Sequence, residues 1–145
     1  MKFDNYMILE FPSRSSNEAF ARSAVACFAA QLDPTLEELG DIKTAVSEAV
    51  TNCIVHAYPD QLGTILVRCR ILKDNVLDIV IKDKGVGIAD VEKAMQAGYS
   101  TAPDNIRTLG FGAGMGLPNM KKYSDSMEIR TKLGEGTVVE MIVNL

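Results

Sequence analysis

The sequence predicts an α+β fold: a two-layer sandwich with helices on one face of a mixed, mainly antiparallel sheet. Three observations predict it. Two long stretches before residue 58 carry apolar residues at helical spacing. Later stretches alternate apolar and polar side chains and are bounded by turn residues. The elements run as strand, two helices, two strands, short helix, loop, helix, two strands.

Tyr6 to Phe11 reads as a first strand, ended by Pro12. Ser15 and Glu18 form a helix-start pair, the serine as cap and the glutamate three residues on. That helix carries Phe20, Ala21, Ala24, Val25, Cys27, Phe28 and Leu32. Asp33-Pro34 is a second start signal, because Asp caps and Pro is tolerated at the first helical position. The apolar period then continues through Gly40 to Ala57. Thr64 to Leu72 and Val76 to Lys82 alternate as strands around the turn Lys73-Asp74-Asn75. A short helix is expected from about Asp90 to Gln96. From Ala97 to about Met115 the pattern is lost, and so long a piece inside a domain reads as a lid. A helix from about Leu117 to Tyr123 and two strands, about Ser126 to Lys132 and Thr137 to Val143, close the chain.

Residues 1–145 are expected to form one domain, since this length buries a real core and no linker or repeat interrupts it. The net charge of −4 argues against a nucleic-acid binder that works by neutralising phosphates. The three cysteines are isolated and odd in number, with one histidine beside them in the whole chain. Buried free thiols in a reducing compartment are expected, not a zinc site or a disulfide framework. No basic-then-apolar leader opens the chain and no run reaches membrane-spanning length, so a cytoplasmic protein without membrane contact is expected.

The candidate site begins at Glu48, Asn52 and His56, which recur every four residues and share one helix face. Ile42, Ala45, Ala49 and Cys53 form the adjoining apolar stripe. An acid and an amide one turn apart suit a bound Mg²⁺ with a proton acceptor beside it; they also suit a solvated polar face. Asp83-x-Gly85-x-Gly87 follows directly on a strand. Its glycines let a ligand approach the backbone, and its carboxylate can accept from an exocyclic amine. A plain turn remains open; a calcium loop lacks the alternating oxygen ligands it needs. Gly110, Gly112, Gly114 and Gly116 alternate before a helix start. Such a run leaves backbone N–H groups free for phosphate at the positive end of a helix. No Lys-Ser/Thr follows it and no βαβ unit surrounds it, which excludes a P-loop and a dinucleotide fingerprint. A flexible hinge is the structural alternative.

In this order, Glu-x-x-x-Asn, Asp-x-Gly-x-Gly, a lid ending in alternating glycines and Gly136-Thr137 resemble the Bergerat-type ATP-binding fold. Gyrase, a class of heat-shock chaperones, histidine kinases and MutL share it. Residues 9–87 are similar to the anti-sigma F factors of spore-forming bacteria. Arg14-Ser15-x-Asn17-Glu18-x-Phe20-Ala21-Arg22, Ala30-Gln31-Leu32-Asp33-Pro34-Thr35 and Ile42-Lys43-Thr44-x-Val46-Ser47-Glu48-Ala49-Val50-Thr51-Asn52 carry that likeness. The final third matches at the motif level, and Gly98-Tyr99-Ser100-Thr101 looks more like stress-response switch kinases.

The resemblance implies an ATP- and Mg²⁺-dependent serine kinase that inhibits a sporulation sigma factor and phosphorylates an anti-anti-sigma protein. It implies a homodimer through the first strand and helix. Glu48 would be the general base and Asn52 the Mg²⁺ ligand. Asp83 would read the adenine amine, supported by Thr137. Gly85, Gly87, Gly110, Gly112, Gly114 and Gly116 would line the nucleotide. Arg107 would touch the γ-phosphate, and Arg22 would meet protein partners. An ATP-gated partner-switching module with little or no turnover is the second reading. An isolated histidine-kinase-type ATPase domain is the third.

Overall fold

In two strands, Thr64–Leu72 and Gly136–Asn144, burial alternates with a period of two, and the strand between them is buried on both faces from Leu77 to Ile81. The structure is a computed structural model and describes residues 4–88, 95 and 116–145. Strands β1 (Asn5–Pro12), β2 (Thr64–Leu72), β3 (Val76–Asp83), β4 (Ser126–Lys132) and β5 (Gly136–Asn144) form one sheet in the order β1-β2-β3-β5-β4. All of its pairings are antiparallel, so no parallel pair occurs among the described strands. Register sets one row across the sheet: Phe11 opposite Ile65, Ile65 opposite Asp83, Asp83 opposite Thr137, and Thr137 opposite Thr131. That row is the end of the sheet where the candidate residues gather.

Among the described residues, three α-helices supply the second layer: α1 (Ser16–Ala29), α2 (Leu36–Asn52) and α3 (Gly116–Lys122). α2 packs against both of the others. Its stripe of Ile42, Ala45, Val46, Ala49 and Val50 is buried with Val25 and Ala29 of α1 against Ile65, Val67, Ile79, Ile81 and Met141 of the sheet. Each fully buried Ile or Val contributes about 1.5–3 kcal/mol, so α2 is fixed by this stripe far more than by its intrinsic propensity.

The start of α2 differs from the Asp33-Pro34 expectation. Asp33 takes a left-handed conformation, φ 50°, at the end of a 3₁₀ turn (Ala30–Leu32). Thr35 is the cap: its hydroxyl accepts from Glu38 N and the Glu38 carboxylate accepts from Thr35 N. This reciprocal pair satisfies two orphan donors at once, which a lone Asp cap cannot do. At α1 the expected pair does not form, because Ser15 is already helical and makes no side-chain cap bond. Glu18 turns to Ser47 of α2 and accepts its hydroxyl proton, which links the two helices.

The other face of the sheet carries charge. Asp78 is buried there and accepts from Arg70 Nε at 2.9 Å and Nη2 at 2.7 Å. The neighbouring Asp78 carboxylate, then burial, pushes the Glu140 carboxyl up. Of the three cysteines, Cys53 and Cys69 are buried but Cys27 is exposed, which corrects the expectation that all are buried. No described helix is long and apolar enough to cross a membrane. The helix expected near residues 90–96 and the lid lie outside the described residues.

Gly40 sits inside α2, and a Cβ there would meet nothing within 4 Å. Gly40→Ala is therefore expected to stabilise the protein by about 0.5–1 kcal/mol. Urea unfolding at neutral pH, read as a midpoint shift at constant slope, checks it.

Candidate functional site

The site is built where α2 ends over the last row of the sheet. α2 gives way after Asn52 to one wide, π-type turn, Cys53–Ala57. Wide turns of this kind mark functional sites in helices. Here the turn leaves the Ala57 carbonyl free to accept from Val86 N at 3.0 Å. The loop after β3 is thereby hung from the end of the helix. Gly85 makes the approach possible, because a Cβ at this position would collide with the Ala57 carbonyl.

Asp83 closes β3 and is buried. Its Oδ1 accepts from Gly85 N at 2.9 Å, and its Oδ2 lies 3.5 Å from Cys53 Sγ. Desolvation pushes the Asp83 carboxyl up, and the Gly85 N–H, the Cys53 thiol and the nearby Thr137 N–H pull it partly back. An ionised carboxylate offers roughly four acceptor positions. Gly85 N takes one on Oδ1 and Cys53 Sγ one on Oδ2, so acceptor capacity remains for a donor such as an exocyclic amine. The residues therefore fit an adenine.

Thr137 is buried beside Asp83, and Gly136 before it has φ 120°, a conformation open to glycine. A Cβ at Gly136 would also collide with the Asp83 carbonyl. Thr131, which the motifs did not point to, completes the cluster. Its Oγ1 accepts from Ile88 N at 2.9 Å, lies 3.2 Å from Gly136 O and 2.9 Å from Thr137 Oγ1. A hydroxyl has one proton. If Thr131 donates to Gly136 O, Thr137 donates to Thr131 and keeps its lone pairs for a ligand. The signal was present in the sequence: a hairpin around Leu133-Gly134-Glu135 places Thr131 opposite Thr137, a common cross-strand pair. Gly134 N donates to Val86 O at 3.0 Å, which ties that hairpin to the Gly85 loop. Gly87 lies in the same loop, beside Lys132.

Glu48 and Asn52 are half-buried on α2, one turn apart on one face. His56 follows in the wide turn, where burial lowers its imidazole below the usual value. Arg22 lies on α1 with Nε 3.8 Å from Glu18 Oε1. A groove between α1 and α2 joins the two ends of the candidate site: Arg22, Lys43, Thr44, Ser47 and Glu48 line it. Gly116 begins α3. Lys121 and Lys122 are exposed at the far end of that helix, and Lys122 Nζ sits 5.3 Å from the Tyr123 ring centre. Arg107, Gly110, Gly112 and Gly114 fall outside the described residues. No cluster of three or more metal-ligating acids, histidines or cysteines occurs among the described residues. The fit for Mg²⁺ therefore rests on one amide oxygen, that of Asn52, with waters completing the shell as this ion prefers.

Known proteins are similar to this chain. Residues 11–143 match the family described as the histidine kinase-like ATPase domain. An anti-sigma F factor of Caldanaerobacter subterraneus subsp. tengcongensis is 52% identical, over 97% of this chain and 94% of its own length. That of Pasteuria penetrans is 51% identical over 97% of this chain and 91% of its own. That of Clostridium acetobutylicum is 44% identical over 95% and 92%. The likeness thus extends through the final third, beyond what the motifs alone carried. Among solved structures, the RsbU and RsbW domains of a Mycobacterium tuberculosis protein superpose with a TM-score of 0.69 at 17% identity. The match covers 98% of this chain and 33% of that one. A blue-light activated histidine kinase of Erythrobacter litoralis gives 0.55 at 20% identity, covering 88% of this chain and 60% of that one. At these identities the two structures speak for the fold.

The raised Asp83 carboxyl sets a pH dependence. A raised folded-state pKa stabilises the fold below the ordinary carboxylate value, and this contribution is lost as pH rises through the folded value. Nucleotide-free protein is expected to lose stability across that window above about pH 4. Asp83→Asn flattens this component. Urea midpoints of both proteins between about pH 4 and 8 check the sign.

Proposed function

Because the chain belongs to the histidine kinase-like ATPase domain family and, within it, to the anti-sigma F factors, we propose that it is a cytoplasmic ATP-dependent protein serine kinase. It holds a sporulation sigma factor inactive and phosphorylates a serine of an anti-anti-sigma protein. One domain spanning the 145 residues does both.

The observation that carries the nucleotide reading is the buried Asp83 carboxylate, with acceptor capacity left after Gly85 and Cys53 have donated. Asp83 takes the exocyclic amine of adenine, and Thr137, held by Thr131, supports that contact. Gly85 and Gly87 let the base lie against the backbone. Gly110, Gly112, Gly114 and Gly116 present N–H groups to the phosphates at the start of α3, and Arg107 adds charge at the γ-phosphate. Asn52 would hold Mg²⁺ through its amide oxygen, and the ion would supply charge neutralisation at the phosphates.

Glu48 stands one turn before Asn52 on the same face, so the residue that holds the ion also fixes the distance to the base. Glu48 accepts the proton of the acceptor serine and orients its oxygen toward the phosphate. General-base assistance of this kind contributes roughly 10²–10⁴-fold. The rest of the work is positioning and electrostatics, as phosphoryl transfer demands. The groove running from Arg22 to Glu48 gives the acceptor protein a path along α1 and α2 to the base. Arg22, about two-fifths exposed, meets the partner at its outer end.

Pairing of two copies through β1 and α1 accords with the exposure of Tyr6, Ile8 and Phe20, large apolar side chains on the edge strand and its neighbouring helix. Neither nucleic acid nor membrane is a direct partner.

Transfer of labelled phosphate from ATP–Mg²⁺ to a candidate anti-anti-sigma protein tests the enzyme. Wild type is expected to label serine. Glu48→Gln is expected to lower the transfer rate by roughly 10²–10⁴-fold while keeping ATP affinity within a few-fold. Serine labelling that Glu48→Gln leaves intact would remove Glu48 from its role. ATP binding with no transfer to any candidate would leave an ATP-gated binding module. Sigma-factor binding, expected to strengthen with ATP, is measured beside it.

A further inference from the structure

Asp83 can read a base only if its carboxylate keeps one orientation. The terminal torsion of an aspartate is broad, so a single hydrogen bond leaves the carboxylate plane free to swing. Gly85 N holds Oδ1 at 2.9 Å, from the residue two positions on in the same loop. The donor on the other oxygen comes from a different element. Cys53 opens the wide turn after α2, is buried, and has its Sγ 3.5 Å from Oδ2. A carboxylate oxygen only accepts, so the thiol donates. Burial matters here, because water cannot replace that donor if the thiol is removed.

We propose that Cys53 is a positioning residue for adenine recognition: its thiol fixes Oδ2 of Asp83, so that the remaining acceptor capacity keeps one direction for the exocyclic amine. The proposal rests on the reading of Asp83 given under the proposed function. It also explains why a polarisable donor stands where the apolar stripe of α2 would accept any small hydrophobic residue. Ile42, Ala45 and Ala49 precede Cys53 in that stripe and make no such contact with the carboxylate. Cys53 follows Asn52 directly, so one helix end sets both the metal-holding amide and the orientation of the base reader.

Two ligands separate positioning from packing: ADP, and the diphosphate of purine riboside, which lacks the exocyclic amine. Their dissociation constants are measured by calorimetry for wild type, Cys53→Ala, Cys53→Ser and Asp83→Asn. Cys53→Ala is expected to weaken ADP by about tenfold, the scale of one buried hydrogen bond. It is expected to leave the amine-free analogue unchanged, and binding of that analogue certifies the folded site. Cys53→Ser, which restores a donor, recovers most of the preference for ADP. Equal weakening of both ligands by Cys53→Ala, or no weakening of either, would overturn the proposal. Should Asp83→Asn leave the preference for ADP intact, the adenine reading itself fails. A preference lost in Asp83→Asn but kept in Cys53→Ala defeats the positioning role alone.

Discussion

The bond from Val86 N to Ala57 O joins the helical layer to the end of the sheet, and the candidate site depends on it. Every helix leaves its last carbonyls without an intrahelical partner, and this one presents the Ala57 carbonyl to the loop. The wide turn at Cys53–Ala57 supplies that carbonyl, and Gly85 supplies the room to reach it. Once the loop is hung there, Gly85 N is aimed back at Asp83 and Val86 O takes Gly134 N from the β4–β5 hairpin. Three segments far apart in sequence are thereby held around one carboxylate. Tyr58 braces the same junction: its hydroxyl accepts from Lys84 N at 2.7 Å and donates to Thr64 O at 2.8 Å.

The described residues of the site sit on packed elements. α2, β3 and β5 bury their apolar faces and fix Glu48, Asn52, Asp83 and Thr137 by packing. Phosphoryl transfer, the proposed reaction, asks for positioning more than for covalent chemistry, and such placement is what it requires. The groove between α1 and α2 extends the same placement outward to Arg22. The Glu18–Ser47 hydrogen bond crosses between those helices, so the groove and Glu48 belong to one packed unit.

Much of this was legible in the sequence, for physical reasons. Strand alternation survives in β2 and β5 because one face is buried and the other is not, so Ile65 to Ile71 and Thr137 to Val143 read directly. The period of α2 is equally plain from Ile42 to Val50. The boundaries were harder. Asp33-Pro34 looks like a start because each residue favours that position alone, but the reciprocal Thr35–Glu38 pair satisfies more donors and wins. Ser15 and Glu18 fit the same capping pattern, yet Glu18 finds Ser47, a partner 29 residues away that no local rule contains. The wide turn left no mark in composition. Cys53 read as an ordinary member of the apolar stripe, because its bond to Asp83 depends on register between two distant elements. Thr131 was within reach through the hairpin register, but it sat outside the motifs that drew attention.

The central claim is that α2, the Gly85 loop and the β4–β5 hairpin form one nucleotide site around Asp83. Titration of nitrogen-15-labelled protein with Mg²⁺–ADP, followed amide by amide, tests it most directly. The account predicts that signals of Asn52, Asp83, Gly85, Gly136 and Thr137 shift together and saturate with a single dissociation constant, while those of the far sheet end, such as Leu72 and Val76, stay in place. Saturable shifts confined to other segments, or no saturation at millimolar nucleotide, would contradict it.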